Sequence, residues 1–577
     1  METIIGRIVE VKGLIVRAKL FKLLPPFLVK NGSKHTAPKI NGFVKTRVGL
    51  DSVICQVVGE YNEEKEDQPS TYYLNLQVKG YISKESFVQG LRVLPIVSSN
   101  VELLTEDDYG IIYNNNSSEP LMLGKDLFDE SHEISADVNM LMPSHIGVFG
   151  NTGSGKSNTL TKIYKEYYSV LEKHKTQAGK FIVFDLNNEY GEDAITKKEN
   201  KVIYKLNLRG NKGAKIPFDI QKLDEDDFVL MLNASPKIQA PIVKNAFKHT
   251  KNDSNFDYVG YVRSLISNNQ KHLFYNFRDK LKGYVRGLDN FRVNSKTGDF
   301  YYKLDDGHCI YSSEKEFENY LNKISIDKPE DTLEKMRFEL YFSAAQSAFD
   351  GVLSEYMMPL LNRAEKLLKE LSKVFDSNSS LSKLFDGKRI CIIQLGLVNK
   401  DLRELIPSLL SNSIFKIMAE YKEDKNIIKQ IINIVVDEAH NLLYEDNEEV
   451  HQHYLQIFEK IVKEGRKFGV FLTLASQRPS DISATIISQL HNYFIHKLVN
   501  PSDIQKIRKA VAYMDDEALD FMTVLAPGEC IISGTAFVMP TFVYVNQVDS
   551  NSRPLSGNVD LIGDKGIFKN NGEEFRF

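Results

Sequence analysis

The sequence predicts an α/β fold in which a small β-barrel precedes a mostly parallel sheet and a helical insertion interrupts the chain of that sheet. Three observations predict it. Roughly the first 100 residues show a strand-like period of two without intervening helices. From Gly124 onward, short apolar runs alternate with helical patterns, as in sheets that are buried on both faces. A long stretch between the second and third of these runs shows helical spacing instead.

The N-terminal domain is predicted to be all-β and is assigned to residues 1–110. Its clearest strand alternates Leu74, Leu76 and Val78 with polar residues. A β-branched run at Val53–Val58 gives a second strand, and the acidic stretch Glu60–Ser70 is interpreted as the loop between them. Several such strands without helices indicate a small barrel or a sandwich. The polar run Asn114–Ser118 is interpreted as the linker that follows.

The core is assigned to residues 120–224 and 386–550, and residues 551–577 are interpreted as a C-terminal tail. Five apolar runs predict its strands: His145–Phe149, Phe181–Phe184, Ile390–Gln394, Ile431–Val436 and Val470–Leu474. Runs of this length between helices are typical of a parallel sheet with helical crossovers.

The insertion is assigned to residues 225–385, where apolar residues from Leu353 to Leu371 fall at helical spacing. Residues 244–296 hold 11 Lys or Arg against four Asp or Glu, interleaved with Phe and Tyr residues. A basic, aromatic surface can bind nucleic acid. We favour the other interpretation, a solvated helical face over core aromatics, because such basic excesses are common on helices.

Composition excludes several classes of protein. The chain is 42% hydrophobic with a net charge of −4, which argues against a disordered protein and against a polybasic coat for nucleic acid. It shows neither an apolar run long enough to span a membrane nor a secretory signal, so we expect a cytoplasmic protein that does not use a membrane. Its four cysteines form no CxxC pair, so neither a disulfide framework nor a zinc site is expected.

A phosphate-binding loop is predicted between the first core strand and its helix. The segment fits the pattern G-x-x-x-x-G-K-[ST], with Gly150, Asn151, Thr152, Gly153, Ser154, Gly155, Lys156 and Ser157. Its glycines let backbone N–H groups converge on a triphosphate. Lys156 is predicted to reach the β- and γ-phosphates, and the Ser157 hydroxyl to ligate Mg²⁺.

Two acidic residues end the fourth core strand. Asp437 is predicted to hold the Mg²⁺ shell and Glu438 to polarise the attacking water. An acidic pair at a strand end can also be a helix cap, but the phosphate loop upstream favours the catalytic interpretation. His440 is expected to pack in the core or to support the site residues rather than to act in catalysis.

Two further residues suit a nucleotide hydrolase that works as a ring. Arg466, in a Gly-Arg-Lys turn before the fifth strand, is placed near a sheet edge, where it could reach the γ-phosphate of a neighbouring subunit. Gln477 ends that strand at the carboxyl edge, where it is placed to sense the γ-phosphate. By default such an arginine makes a surface salt bridge.

Six ordered segments resemble the HerA branch of the FtsK–HerA ATPases: GNTGSGKSN, DLNNEY, VVDEAHNLL, EGRKFGV, ASQRPSDI and LAPGE. The resemblance implies a RecA-like P-loop ATPase core with an N-terminal barrel, a homohexamer with ATP between subunits, and double-stranded DNA in the central channel. It implies ATP and Mg²⁺ binding at the loop, Asn158 included, with Glu438 as catalytic carboxylate, Arg466 as the finger from the adjacent protomer and Gln477 as sensor. Asp185 and Glu189 match acidic positions beside the nucleotide.

The family also implies a partner. Its rings commonly work with a nuclease of the NurA type, and bacterial relatives pair with sirtuin-like, NAD-consuming effectors or other nucleases in anti-phage defence. No nuclease motif is recognised in this sequence, so cutting would come from a separately encoded protein. The leading hypothesis is therefore a hexameric DNA translocase. The alternatives are an ATP-stabilised ring scaffold that regulates an effector enzyme, and a soluble NTPase switch without DNA.

Overall fold

The computed structural model describes residues 4–25, 27–30, 33–65, 68–90, 92–113, 117–209, 213–220, 223–251, 256–377, 379–446, 449–511 and 516–554. Residues 114–116 of the predicted linker and 555–577 of the predicted tail lie outside them. The chain forms two compact units. Unit 1 comprises residues 1–201, 417–445 and 458–577, and unit 2 comprises residues 202–416 and 446–457.

The described residues of the N-terminal part of unit 1 form nine strands and one helix. They are β1 (Ile4–Lys12), β2 (Ile15–Leu20), β3 (Phe27–Lys30), β4 (Ser33–Thr36), β5 (Phe43–Val48), β6 (Asp51–Lys65), β7 (Gln68–Ser83), β8 (Ser86–Val88), β9 (Asn100–Leu103) and α1 (Glu106–Ile112). Six of the strands follow the order β2-β1-β9-β5-β6-β7, and β7 pairs again with β2. The predicted barrel is confirmed, and its closure excludes the sandwich.

The predicted loop Glu60–Ser70 of this barrel is wrong, because both strands continue through it to Lys65 and from Gln68. The alternation extends there because Tyr61 and Tyr73 face each other and stack, with ring centroids 5.0 Å apart. Cross-strand aromatic pairs of this kind stabilise a sheet.

The core begins with β10 (Pro120–Asp126), β11 (Glu133–Asp137), α2 (Val138–Leu141), β12 (Ile146–Phe149), α3 (Lys156–Lys173), β13 (Gly179–Asp185) and β14 (Lys201–Lys205).

The segment that follows holds β15 (Ile216–Pro217), α4 (Glu225–Met231), α5 (Gln239–Lys251), α6 (Tyr258–Ser267), α7 (Lys271–Leu281), β16 (Val285–Arg286), β17 (Phe291–Val293), β18 (Phe300–Lys303), β19 (Cys309–Tyr311), α8 (Phe317–Leu321), β20 (Ser325–Ile326), α9 (Thr332–Phe349), α10 (Ser354–Val374) and β21 (Phe375–Asp376).

The remaining elements are β22 (Ile390–Gln394), α11 (Lys400–Lys425), β23 (Ile431–Val436), α12 (Glu449–Phe468), β24 (Val470–Ser476), α13 (Ala484–Ser488), β25 (Asn492–Ile495), α14 (Pro501–Ala510), α15 (Asp516–Phe521), β26 (Glu529–Gly534) and β27 (Thr541–Val545).

Nine strands of unit 1 lie side by side in the order β11-β10-β27-β26-β25-β12-β24-β23-β13. The five from β25 to β13 are parallel. Apolar runs predicted four of them, β12, β13, β23 and β24, whereas β25 was not predicted. The four beyond β25 pair antiparallel and were not predicted. Because the parallel strands point the same way, the residues that follow β12, β13, β23 and β24 meet at one carboxyl edge.

Unit 2 is mainly helical and contains the long α9 and α10. The buried Leu360, Leu361 and Leu371 confirm the helical spacing read from the sequence. The short β17, β18 and β19, which form a three-stranded antiparallel sheet, were not foreseen.

The basic, aromatic segment 244–296 is used for packing inside unit 2. Phe274, Phe277 and Tyr284 are buried, and the Tyr258 hydroxyl donates to Glu339 at 2.7 Å. Several of its cations are paired with carboxylates: Lys244 with Asp226, Lys282 with Asp289 and Arg286 with Asp327. These contacts support the solvated-face interpretation that the sequence favoured. Among the described residues, no helix is both long and apolar enough to cross a bilayer.

Candidate nucleotide-hydrolysis site

The phosphate-binding loop connects the centre of the sheet to α3. It leaves β12 after Phe149 and enters the helix at Lys156, so the helix N-terminus and its positive dipole end point at the loop. Gly150 has φ 155° and Gly155 has φ 113°, both in the range that favours glycine. A Cβ on Gly150 would lie 2.5 Å from His496 Cβ, so this position cannot carry a side chain without movement.

Two segments distant in sequence contact the phosphate-binding loop and the start of α3, and the sequence did not reveal their role. His496 follows β25, is fully buried, and contacts the Thr159 hydroxyl at 2.9 Å and the Glu529 carbonyl at 2.8 Å. Burial lowers the pKa of His496 to about 4, so its ring is neutral. The Gly528 N–H donates to the Ser154 carbonyl at 2.9 Å. The LAPGE segment therefore supports the shape of the loop.

Lys156 is the only lysine of the loop, and its side chain is 6% exposed. Its ammonium donates to the Asn151 carbonyl at 3.1 Å. Burial lowers the pKa of Lys156, while the nearby Glu438, Asp437 and Glu189 raise it. The structure therefore brings the predicted lysine and the predicted acidic residues together at one point.

Asp185 lies at the end of β13, and its side chain is fully buried. Its buried carboxylate accepts the N–H groups of Glu189 and Tyr190, each at 2.9 Å. Asp185 therefore shapes the turn that carries Glu189. Glu189 itself is close to the site, because the Ser157 hydroxyl lies 3.4 Å from its carboxylate.

Asp437 is buried beside three other carboxylates. Burial is the main cause that raises its pKa to about 7, and the charges of Glu189 and Glu438 add to it. One carboxylate oxygen accepts the Glu438 N–H at 2.9 Å. The buried Tyr190 hydroxyl also interacts with Asp437.

Glu438 occupies a strained backbone position with φ 50° and ψ 45°. Left-handed backbone is uncommon for a non-glycine residue and clusters at functional sites. Burial raises the pKa of Glu438, and Lys156 and a hydrogen bond from Gln477 oppose that rise. Its Oε2 is buried and has no hydrogen-bond partner among the described residues, although His440 Nδ1 lies 3.4 Å away.

Gln477 leaves β24 at the same edge and joins the loop to Glu438. Its carbonyl oxygen accepts the Thr152 hydroxyl. The next residue, Arg478, is exposed, and its charge acts on both Glu438 and His440. The sequence offered Arg478 only as the neighbour of Gln477, and its proximity to Glu438 was missed.

Arg466 lies in the last turn of α12 and not, as predicted, in a connection between elements. The connection to β24 is made at Gly469, which has φ 77°. It precedes β24 at the amino edge of the sheet, whereas the loop leaves β12 beside Ser476 at the carboxyl edge. The strand between them spans about 20 Å at ~3.3 Å per residue. The exposed Arg466 therefore does not reach the phosphate loop of its own chain.

The side chain of Asn158 is engaged away from the loop. Its amide N–H donates to the Asn546 carbonyl at 3.3 Å, and its oxygen accepts the Val548 N–H at 3.1 Å. These bonds attach α3 to the segment after β27, so the geometry supports a packing role for this side chain.

Comparison with known proteins places this architecture in one family. The family model described as "Helicase HerA, central domain" matches residues 121–414, just over half of the chain, and "Helicase HerA-like C-terminal" matches residues 387–553. This chain belongs to the HerA helicase family. It is therefore a P-loop ATPase by family, and the predicted resemblance is confirmed.

Individual HerA relatives are distant but similar over most of their length. The DNA double-strand break repair helicase HerA of Sulfurisphaera tokodaii is 24% identical over 83% of this chain and 79% of its own. The protein of the same name from Sulfolobus acidocaldarius is 24% identical over 90% of this chain and 81% of its own. Among solved structures, VirB4 of Thermoanaerobacter pseudethanolicus is 14% identical, with a TM-score of 0.41 over 76% of this chain and 99% of that chain.

The residues of this HerA-family site fit a triphosphate with Mg²⁺. Among the described residues the buried Oε2 of Glu438 has no hydrogen-bond partner, and a cation would offset the burial and the neighbouring negative charges that raise the pKa of Asp437. Oxygen ligands are those that Mg²⁺ prefers. Within the described part of the chain, no group of three or more His, Cys, Asp or Glu is arranged to hold a metal alone. Ser157 and Asp437 would therefore hold the ion together with phosphate oxygens and water. The bound ion would neutralise developing phosphate charge.

Replacing Asp437 by Asn is expected to stabilise the fold while stopping hydrolysis. The pKa of the Asp437 carboxyl is higher in the folded protein, about 7, than in the unfolded chain. The free energy of unfolding therefore falls as pH rises from the unfolded pKa to the folded pKa. A tenfold difference in proton affinity between the folded and unfolded states corresponds to about 1.4 kcal/mol of unfolding free energy. The melting temperature of Asp437→Asn should thus exceed that of the wild type clearly at pH 8 and by less at pH 5.

Asp185→Asn is the matched control for this measurement. Asp185 accepts two backbone N–H groups, so its replacement should lower the melting temperature at pH 8. A lower melting temperature of Asp437→Asn at pH 8 would contradict the destabilising effect of burying the Asp437 charge beside other carboxylates.

Proposed function

We propose that this protein is an ATP-driven motor that moves double-stranded DNA through a homohexameric ring in the cytoplasm. The observation that carries the proposal is the division of the hydrolysis site between the two edges of one sheet. Lys156, Asp437 and Glu438 lie at the carboxyl edge, and Arg466 lies at the amino edge, exposed. An arginine finger in that position acts only on the nucleotide of a neighbouring protomer, which a closed ring supplies at every interface.

The remaining assignments follow the predicted roles. Lys156 and Ser157 bind phosphate and Mg²⁺, Asp437 completes the metal shell, and Glu438 polarises the attacking water. Gln477 senses the γ-phosphate, and Glu189 borders the metal through Ser157. DNA as the cargo is supported by the curated relatives, which are named DNA double-strand break repair helicases and are matched over about four-fifths of their length.

The runner-up is a ring scaffold that uses ATP mainly for assembly. The two functions differ in their response to DNA. For a motor, linear duplex DNA should raise the rate of ATP hydrolysis several-fold at constant protein concentration, and Lys156→Ala should remove both rates. A scaffold should hydrolyse ATP at the same rate with and without DNA. A switch that needs no ring should keep its rate when diluted to a monomer.

We propose further that the ring works with a separately encoded nuclease or sirtuin-like, NAD-consuming enzyme in anti-phage defence or DNA-end processing. The barrel supports this proposal because it offers a groove of about 450 Å³ lined by both apolar and polar residues, among them Leu23, Tyr61, Tyr73, Lys39 and Glu60. Leu23 and the neighbouring Phe21 are each 62% exposed. Two large apolar side chains exposed next to a groove offer a partner protein apolar contacts to bury.

The double variant Phe21→Ser, Leu23→Ser should lose the complex with the protein encoded by the adjacent reading frame, because both apolar contacts are removed. The measurement is co-purification, with size-exclusion chromatography to show that the ring stays intact. Leu50→Ser is the control, since Leu50 is fully exposed in the turn between β5 and β6 and away from the groove. Retention of the partner by an intact double-variant ring would place docking elsewhere.

A further inference from the structure

Thr152 lies in the phosphate loop, but its hydroxyl bonds across to another strand. Its Oγ1 is 2.5 Å from the Oε1 of Gln477, which follows β24. The carboxamide of Gln477 also hydrogen bonds the carboxylate of Glu438. Three side chains from three separate segments thus form a continuous chain, from the loop through β24 to the end of β23.

The chemistry of the three groups fixes the direction of both hydrogen bonds. An ionised carboxylate only accepts, so Gln477 must turn its NH₂ toward Glu438. Its carbonyl oxygen then faces Thr152, and the Thr152 hydroxyl must donate. A flipped carboxamide would place two acceptors against each other at Glu438. Glu438 therefore selects the orientation of the Gln477 carboxamide, and the hydrogen bond from the Thr152 hydroxyl holds the carboxamide in that orientation.

This orientation determines which oxygen of Glu438 is left for water. Oε2 is buried and has no hydrogen-bond partner among the described residues, with His440 Nδ1 3.4 Å away. His440 Nδ1 is itself 3.2 Å from the Ser476 hydroxyl, which keeps the ring in place. Oε2 is therefore available to accept the proton of an attacking water.

We propose that Thr152 is a positioning residue for hydrolysis, which orients the catalytic carboxylate of Glu438 through the Gln477 carboxamide. We call this chain of three residues, Thr152, Gln477 and Glu438, the orienting chain. It makes the rate of hydrolysis depend on a hydroxyl in the phosphate loop that need not touch the nucleotide. The inference rests on ATP hydrolysis at this site, as proposed above, but not on DNA movement.

The first test separates orientation from nucleotide binding. Thr152→Val keeps the shape of the side chain and removes the donor, whereas Thr152→Ser keeps the donor. Loss of a hydrogen bond that orients a charged group is worth about 10-fold to 100-fold in rate. We expect kcat of the full-length ring to fall by that factor in Thr152→Val, with the Kd for a fluorescent ATP analogue within about threefold. Thr152→Ser should recover most of the lost rate.

The second test is a double-mutant cycle with Gln477→Ala. If Thr152 acts only through Gln477, adding Thr152→Val to Gln477→Ala should cost little further rate, because the orienting chain is already broken. Multiplication of the two losses would overturn the proposal. So would a Thr152→Val ring whose kcat is unchanged, or one whose loss lies in ATP affinity, which would mean that Thr152 binds phosphate directly.

Failure of the orienting chain is distinguishable from failure of the motor. Both tests measure the rate of ATP hydrolysis without DNA. A ring whose hydrolysis rate does not respond to DNA would contradict DNA movement, but its Thr152 variants would still test the orienting chain. Conversely, if the rate losses of Thr152→Val and Gln477→Ala multiply in the double variant, Thr152 has no role through Gln477, and stimulation of hydrolysis by DNA is unaffected.

Discussion

Glu438→Gln should bind ATP and stall. The substitution keeps the shape and the hydrogen bond to Gln477 but removes the negative charge that polarises the attacking water. Lys156, Ser157 and Asp437 are unchanged, so the phosphate and metal contacts persist. We expect loss of nearly all turnover, with an ATP affinity close to that of the wild type, measured by phosphate release and by binding of a fluorescent nucleotide.

Lys156→Ala is the matched comparison, because it removes the positive charge from the same site and should also abolish hydrolysis. Lys156 is surrounded by Glu438, Asp437 and Glu189, so its loss leaves the carboxylates without a counter-charge and should weaken ATP binding as well. If Lys156→Ala and Glu438→Gln bound ATP with the same affinity, whether unchanged or reduced, the separate roles of Lys156 and Glu438 would be contradicted.

Arg466→Ala should lose most hydrolysis while keeping ATP binding. An arginine finger stabilises the transition-state charge and is worth about 10³–10⁵ in rate. Because Arg466 and the phosphate loop lie at opposite edges of the sheet, we expect the effect to cross the subunit interface of the proposed ring. Rings mixed from Lys156→Ala and Arg466→Ala protomers should therefore recover part of the activity, since some interfaces then carry both intact residues.

Arg478→Ala is the control for this assignment, because Arg478 is the arginine whose charge reaches Glu438 within one chain. If Arg478→Ala abolished hydrolysis and Arg466→Ala left it intact, the finger would act in cis. Absence of recovery in rings shown to be mixed would equally remove the trans role of Arg466.

The phosphate loop and the acidic strand end could be predicted because their information is local. The glycines, Lys156 and Ser157 are contiguous, and Ile431–Val436 runs directly into Asp437 and Glu438. Strand directions then follow from the alternation of apolar runs and helices, which is why the common carboxyl edge was expected.

The rest depended on contacts between distant parts of the chain. Asn158 bonds residues 546 and 548, and His496 supports a loop more than 300 residues earlier. No local pattern marks such partners. Asp185 matched an acidic site position, yet its carboxylate turns to two backbone N–H groups, a choice that only the fold of the following turn decides.

The antiparallel strands beyond β25 were missed for a related reason. β26 and β27 are short, and β10 and β11 precede the phosphate loop, so nothing in their spacing shows that they complete the same sheet. The extension of β6 and β7 through an acidic, proline-containing stretch also depends on cross-strand stacking, which sequence alternation alone does not display.

Displacement of a third strand from duplex DNA tests the central claim most directly, because it reports movement along the duplex rather than hydrolysis alone. The substrate is a linear duplex carrying a labelled triplex-forming oligonucleotide at one end, incubated with the ring and ATP. The account predicts release of the oligonucleotide by the wild type and none by Glu438→Gln, although both bind ATP. Wild-type rings that hydrolyse ATP on this duplex and leave the third strand in place would contradict it.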